Sequence, residues 1–469
     1  MSTKFICEGF SSALIVTLMA LTLVFMGCGG SSGNSTPTQT PSATARTTVQ
    51  VGMGDSPADW ILAFGMTVNS ITLNNTNGST VNMLSSATQM EMMRLMGTVQ
   101  PISVMNVPQG TYTAATVTFS SVQMGYMDPT SHQYAQKTVA GPFSGTVSFN
   151  PPMTLGSTPS SLSFDMNMSS SVSIDSGGNV TITPSFTVMT SPLTPGQNPW
   201  QGWMQHMVGT VASASGSQFT LNTMMGLQSA TFNTNSNTQF VGMSGMGMMS
   251  GGVVLAVDAT TQPDGSLMAQ RVESMSGSGG MMAGGIVVGI TGNPPTQMSM
   301  VANNGIGGGM MMSAISGNIT INLSSSTPYS FDSDDVDLAN LPFTPTFDNS
   351  TIAKGQKIDV VSGGSMMGGG MMGGSTINAS QVRLEQQGLH GTVSNYSASG
   401  SQATFTLTLP ADSAFATLTG TSTITVYKQN GTQMHNVSAI ANGDQVEIRG
   451  LLFHDSGSYQ MVSTWIVTP

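Results

Sequence analysis

Between Thr47 and Thr190 apolar and polar residues alternate in short runs separated by turn residues. Met66-Thr67-Val68-Asn69-Ser70-Ile71-Thr72-Leu73 and Thr111-Tyr112-Thr113-Ala114-Ala115-Thr116-Val117-Thr118-Phe119 approximate a period of two, which sends successive side chains to opposite faces of a strand. Thr47 to Val51, Gly145 to Phe149, Leu162 to Met168 and Val180 to Val188 extend the series, and Pro184, which offers no N–H to a ladder, places the last at a sheet edge. β-Branched runs at this spacing predict an antiparallel β-sandwich over residues 47–190. One helix is expected within it, from Ala87 to Met96, where Met92, Met93 and Met96 would share a face.

Ser191 to Met207, rich in proline and holding Trp200 and Trp203, reads as a linker over residues 191–207. Beyond it the chain repeats itself. A Gly-x-Val opening recurs at Gly209-Thr210-Val211, Gly285-Ile286-Val287 and Gly391-Thr392-Val393, and each is followed by alternating strands and glycine turns. Five or so short strands with glycine at the corners are expected to close into small OB-like barrels. The copies span 208–275, 285–387 and 388–469, the middle one divergent and carrying Gly/Met-rich insertions. The expected fold class is all-β: a sandwich with two or three small barrels strung behind it.

Val51-Gly52-Met53-Gly54-Asp55-Ser56-Pro57-Ala58-Asp59, the Val68 to Leu73 run and Val107-Pro108-Gln109-Gly110-Thr111-Tyr112 resemble a bacterial lipoprotein family, domain of unknown function 4382, over about residues 47–190. The repeats are similar to another exported family, domain of unknown function 5666, over about residues 208–469. These resemblances imply β structure and an envelope location and bring no established activity. Asp55 and Asp59 are candidate ligands. Asp55 is alternatively a residue that caps or turns the chain before Pro57.

The N-terminus narrows the location. Lys4, an apolar run from Ala13 to Met26 and then Gly27-Cys28-Gly29 resemble a lipoprotein signal with its lipobox, in a run too short for a membrane span. That resemblance implies cleavage of a signal peptide, residues 1–27, and acylation of Cys28. The same run also suits an ordinary secretory peptide or an anchor helix. Residues 28–46, rich in Gly, Ser, Thr and Pro, read as a flexible tether, spanning on the order of 25 Å on average. Cys28 thus ties the chain to a membrane, with the outer membrane expected over the inner. No other apolar stretch reaches spanning length.

Composition then excludes several classes. Cys7 and Cys28 are the only cysteines, so once the signal is removed no thiol is left for a disulfide, a zinc site or a nucleophile. Only 7% of residues are charged, the net charge is −11, and the repeats lack a basic groove with stacking aromatics, so nucleic acid is not an expected partner. The polar load rests on hydroxyls and amides, which suits an envelope glycan or protein partner.

The chain has 40 Met, more than its Phe, Trp and Tyr together. Many lie in glycine loops, where they have no face to bury. Thioethers are soft ligands, so Met366, Met367, Met371 and Met372, with Met204, His206 and Met207, are candidates for Cu(I) or Ag(I). Alternatives are packing in cores, inert low-complexity insertion and sacrificial oxidation. Asp332-Ser333-Asp334-Asp335-Val336-Asp337 offers oxygen ligands for Ca²⁺ but lacks the glycine and distal glutamate of an EF-hand loop, and reads first as a solvated turn.

No catalytic signature emerges. The five histidines, His132, His206, His390, His435 and His454, show no paired spacing. Gly29-Gly30-Ser31-Ser32-Gly33 fits a nucleophile elbow only as text, with no strand before it or helix after it. Gly54-Asp55-Ser56 resembles the nucleophile block of a lipase-like hydrolase family, but the Asp-x-x-His that must accompany it is missing, His454 and Asp455 being adjacent. The sequence therefore reads as a non-enzymatic binding or structural module of the cell envelope, without a cofactor. Soft-metal binding is the alternative, and a hydrolase the weaker one.

Overall fold

A computed structural model describes residues 45–469 except 57, 97, 129, 176, 195, 197–201, 224–226, 277–280, 308–309, 312–316, 332, 334–335, 363–375, 436, 438 and 469. The signal peptide, Cys28, nearly all of the tether, Met366, Met367, Met371, Met372 and three of the four Asp332–Asp337 loop carboxylates lie outside the described residues.

The chain is almost entirely β. Its first two sheets form a sandwich. In one, Arg46–Ser56 pairs with Val99–Pro108 on one side and Ser160–Asn167 on the other, and Phe186–Pro192 forms the outer strand. In the other, the long strands Ile61–Asn75 and Gly110–Met127 pair through most of their length and carry shorter strands on both flanks. The inner faces meet where the alternation placed them: Val49, Val51, Met53 and Phe164 pack against Phe64, Val68, Ile71, Val117 and Phe119, all buried. The Pro-x-Gly-x-Tyr piece has a local cause, because the hydroxyl of Tyr112 donates to the carbonyl of Pro108 at 2.7 Å and ties the strand entry to its own corner.

Two expectations are corrected here. The sandwich is mixed rather than antiparallel, since Arg46–Ser56 and Ser160–Asn167 run parallel. The helix expected from Ala87 to Met96 is a strand, Thr88–Glu91, followed by a single 3₁₀ turn, Met93–Leu95. Strand pairing with Ile61–Asn75 overrides helical spacing there, and Met92 and Met96 are buried as expected but as the two caps of that turn.

Three rings follow, built to one plan. In the third, Gln387–Ser399, Gln402–Thr408, Thr423–His435, Gln445–Asp455 and Ser458–Val467 form a closed five-stranded barrel. Its closing pair is parallel, Thr423–His435 against Ser458–Val467. The first ring repeats the order with Trp203–Ser215, Gln218–Thr223, Ser229–Asn233, Val254–Thr261 and Leu267–Ser276, and its parallel joint sets Phe232 opposite Leu267. In the second, Met281–Gly292, Pro295–Gly307, Gly317–Asn322 and Lys357–Ser362 lead to a last strand broken into Thr376–Asn378 and Gln381–Leu384, and Thr320 stands opposite Thr376 at the joint. Because the first strand of the first ring begins at Trp203, the last residues of the expected linker are strand.

The Gly-x-Val signature has one physical reason in all three copies. Gly209, Gly285 and Gly391 occupy the same register position, opposite Leu255, Ile358 and Val446. A Cβ on any of them would run into a neighbouring strand's carbonyl oxygen, that of Asn222, Val301 or Thr408. Strands cross too closely at this corner for any side chain.

The rings are not beads on a string, as the sequence suggested. Thr44–Pro469 forms one compact unit. Leu451, Phe453 and Val462 of the third ring belong to the core of the second, where Phe331 and Phe343 meet Phe453 edge-on at 5.3 and 5.9 Å between ring centroids.

Candidate metal centre

Long polar side chains are rarely buried unless paired. This chain, with 7% charged residues, nevertheless buries Asp55, Glu91, Asp258, Asp359, Arg383, Glu385, Glu447 and Arg449. Most lie on strands, and Glu385 directly follows the strand Gln381–Leu384. In Lys357-Ile358-Asp359-Val360, Ile358 and Val360 fill the second core while Asp359 faces the other way.

His206 meets these carboxylates through a distortion. The register between Trp203–Ser215 and Val254–Thr261 shifts between Met204 and Met207, so that an extra residue is accommodated. His206 adopts φ +51°, in the left-handed region, and Asp258 Oδ1 accepts its backbone N–H at 2.6 Å. Met204 and Met207 stay in the first ring's core, 1% and 5% exposed. His206 instead reaches across to the second ring, its Nε2 3.9 Å from Asp359 Oδ2 and 3.8 Å from Glu385 Oε2. The sequence neighbours of His206 are thus replaced by spatial ones.

A chain of alternating charge runs beside this trio and joins the first two rings. Arg271 Nη1 contacts Glu273 Oε2 at 2.9 Å, Glu273 Oε1 contacts Arg383 Nη1 at 2.6 Å, and Arg383 Nε contacts Glu385 Oε1 at 3.3 Å. A cavity of about 60 Å³ opens on the trio, and Arg94, Lys357 and Arg449 also line it. Burial, then the Arg449 guanidinium, pushes the Lys357 ammonium down to about 8.

A second buried group lies between the sandwich and the third ring. Burial raises the Asp55 carboxyl well above its usual range, with Asp165 and Glu447 adding to the effect. Asp55 lies inside the strand Arg46–Ser56 and has no hydrogen-bond partner on either carboxylate oxygen, so it neither caps nor turns the chain. Glu447 is pushed up to about 8 by burial and Asp165, and Glu91 to about 7 by burial. Glu91 accepts from the backbone N–H groups of Phe64 and Arg94, which fixes the 3₁₀ turn. Asp59 pairs with His390.

The described glycine-loop methionines take several places. Met243 and Met246 pack against the first ring's core, whereas Met248 is 54% exposed, its sulfur accepting from the amide and hydroxyl of Ser244. Of the acidic loop, Asp337 accepts from the amide of Ala339 as an ordinary turn residue.

The molecule is thus an all-β chain of a sandwich and three ring modules, the last of them a closed five-stranded barrel. Within it, residues 208–273, most of the first ring, match the family described as a domain of unknown function (DUF5666). No match to domain of unknown function 4382 accompanies it over the sandwich. No curated protein matches the chain.

Proposed function

We propose that this chain is a lipid-anchored, non-enzymatic binding module of the cell envelope whose outer strand faces engage a glycan. The observation that carries the reading is a row of amides across three neighbouring strands of the second ring. Gln297 Nε2 donates to Asn322 Oδ1 at 3.0 Å, and Asn322 Nδ2 donates to Asn378 Oδ1 at 2.9 Å, with Gln297 and Asn378 exposed. Hydroxyl pairs continue the theme on other sheets, Thr116 with Thr146 and Thr220 with Thr231. Side-chain amides and hydroxyls both donate and accept, as sugar hydroxyls do. With many charges turned inward, such faces offer hydrogen bonds without electrostatic selection. The lipid on Cys28 and the tether after it would hold these faces outside the cytosol.

The test is retention of the full chain on immobilised envelope polysaccharides, compared with a Gln297→Ala, Asn322→Ala, Asn378→Ala variant. Loss of retention at unchanged thermal stability is the expected result. A wild-type chain that no envelope glycan retains overturns the glycan reading. Mass spectrometry of the native protein checks the anchor separately, as diacyl or triacyl mass on Cys28.

A further inference from the structure

We infer that the junction of the first two rings is a binding site for a divalent metal ion, with His206, Asp359 and Glu385 as its protein ligands. Among the described residues these three bring one donor atom each to within 4.8 Å of one another. Zinc bonds to imidazole nitrogen and carboxylate oxygen are roughly 2.0–2.2 Å, which sets donors about 3–4 Å apart around one ion. The His206 contacts at 3.9 and 3.8 Å already have that spacing.

Asp359 supplies an independent reason. It is 2% exposed, and its Oδ1 has no hydrogen-bond partner. A buried carboxylate oxygen left in that state is costly, and a cation satisfies it directly. The bulge and the Asp258 anchor hold the His206 backbone in place, so little ordering would remain to be done on binding. The adjoining cavity of about 60 Å³ has room for the ion's remaining ligands, which water would supply.

One nitrogen and two carboxylates form a set of intermediate hardness. It selects Zn²⁺ or a similar first-row divalent ion, and neither Cu(I), which prefers sulfur, nor Ca²⁺, which takes six to eight oxygens. Arg94, Lys357 and Arg449 on the same cavity oppose a cation, so the affinity is set by a contest of charges. Removing one of them should therefore tighten binding.

The experiment is equilibrium dialysis of the chelator-stripped full chain against ZnCl₂, with bound metal counted by mass spectrometry. One equivalent is expected. His206→Ala and Asp359→Asn should each weaken retention about tenfold or more, and Lys357→Gln should strengthen it. Co²⁺ provides a readout independent of folding losses: a visible absorption band in the wild type that disappears in the isosteric Asp359→Asn protein at unchanged far-ultraviolet circular dichroism. The inference is overturned by a wild type that retains no zinc. Equal retention by wild type and both ligand variants also overturns it, because the metal would then sit elsewhere.

Discussion

Nδ1 of His390, on the first strand of the third ring, lies 3.1 Å from Oδ2 of Asp59 in the sandwich, joining residues 331 positions apart in the chain. The Asp59 hydrogen bond holds the His390 imidazole above its ordinary pKa. A histidine raised on folding contributes stability that is fully present below its unfolded value of about 6.5 and is lost as pH rises through its folded value. Thermal unfolding of wild type and His390→Gln should therefore differ most in mild acid, by about 1 kcal/mol for a partly exposed pair, and converge in alkali. A difference that grows with pH would contradict the pairing.

The buried acids should tilt the pH profile the same way. Glu447 is raised to about 8 and Glu91 to about 7, so between the unfolded carboxyl range near 4.5 and these values the folded chain holds more protons than the unfolded one. Stability then falls as pH rises through that window. Glu447→Gln removes one of the contributions. In urea titrations from pH 5 to 9 the variant should gain on the wild type by on the order of 2 kcal/mol toward the alkaline end.

Gly391→Ala tests the crossing of strands. The new Cβ would sit 2.5 Å from the Thr408 carbonyl oxygen, too close for either strand to yield without breaking its ladder. A loss of about 1–3 kcal/mol in urea unfolding is expected. Gly156→Ala, which meets nothing within 4 Å, is the matched control and should change little.

Phe453→Ala tests whether the second and third rings share a core. Phe453 is 1% exposed and contacts Phe331 and Phe343 from the second ring. Truncation should cost about 3–5 kcal/mol. Differential scanning calorimetry should show the endotherm of both rings moving together. A shift confined to a separate transition of the third ring would mean the rings unfold independently.

Much of the fold was legible in the sequence because strands announce themselves by alternation and the rings by a glycine that nothing else can replace. The segment Thr88-Gln89-Met90-Glu91 was misread because three methionines at helical spacing outweighed a strand only four residues long. The candidate centre was half visible. His206 was singled out, but for the thioethers beside it, and a bulge of one residue turns its imidazole away from them. Asp359 and Glu385 carry no spacing signature because one comes from a strand of another ring and the other from the residue just past a second strand of that ring. What the sequence did offer was scarcity: in a chain with so few charges, Asp359 and Arg383 within otherwise apolar strands mark faces that must be covered by something polar.

Ring closure has a consequence for a chain with this surface. Sparse charge ordinarily leaves a β protein open to stacking with its neighbours through exposed backbone amides. In the rings, the parallel joints at Phe232–Leu267, Thr320–Thr376 and Thr425–Gln460 pair backbone groups that would otherwise be open, whereas the sandwich keeps edge strands such as Phe186–Pro192. The joints thus protect the ring edges by geometry, where more highly charged sheets rely on repulsion between their edges.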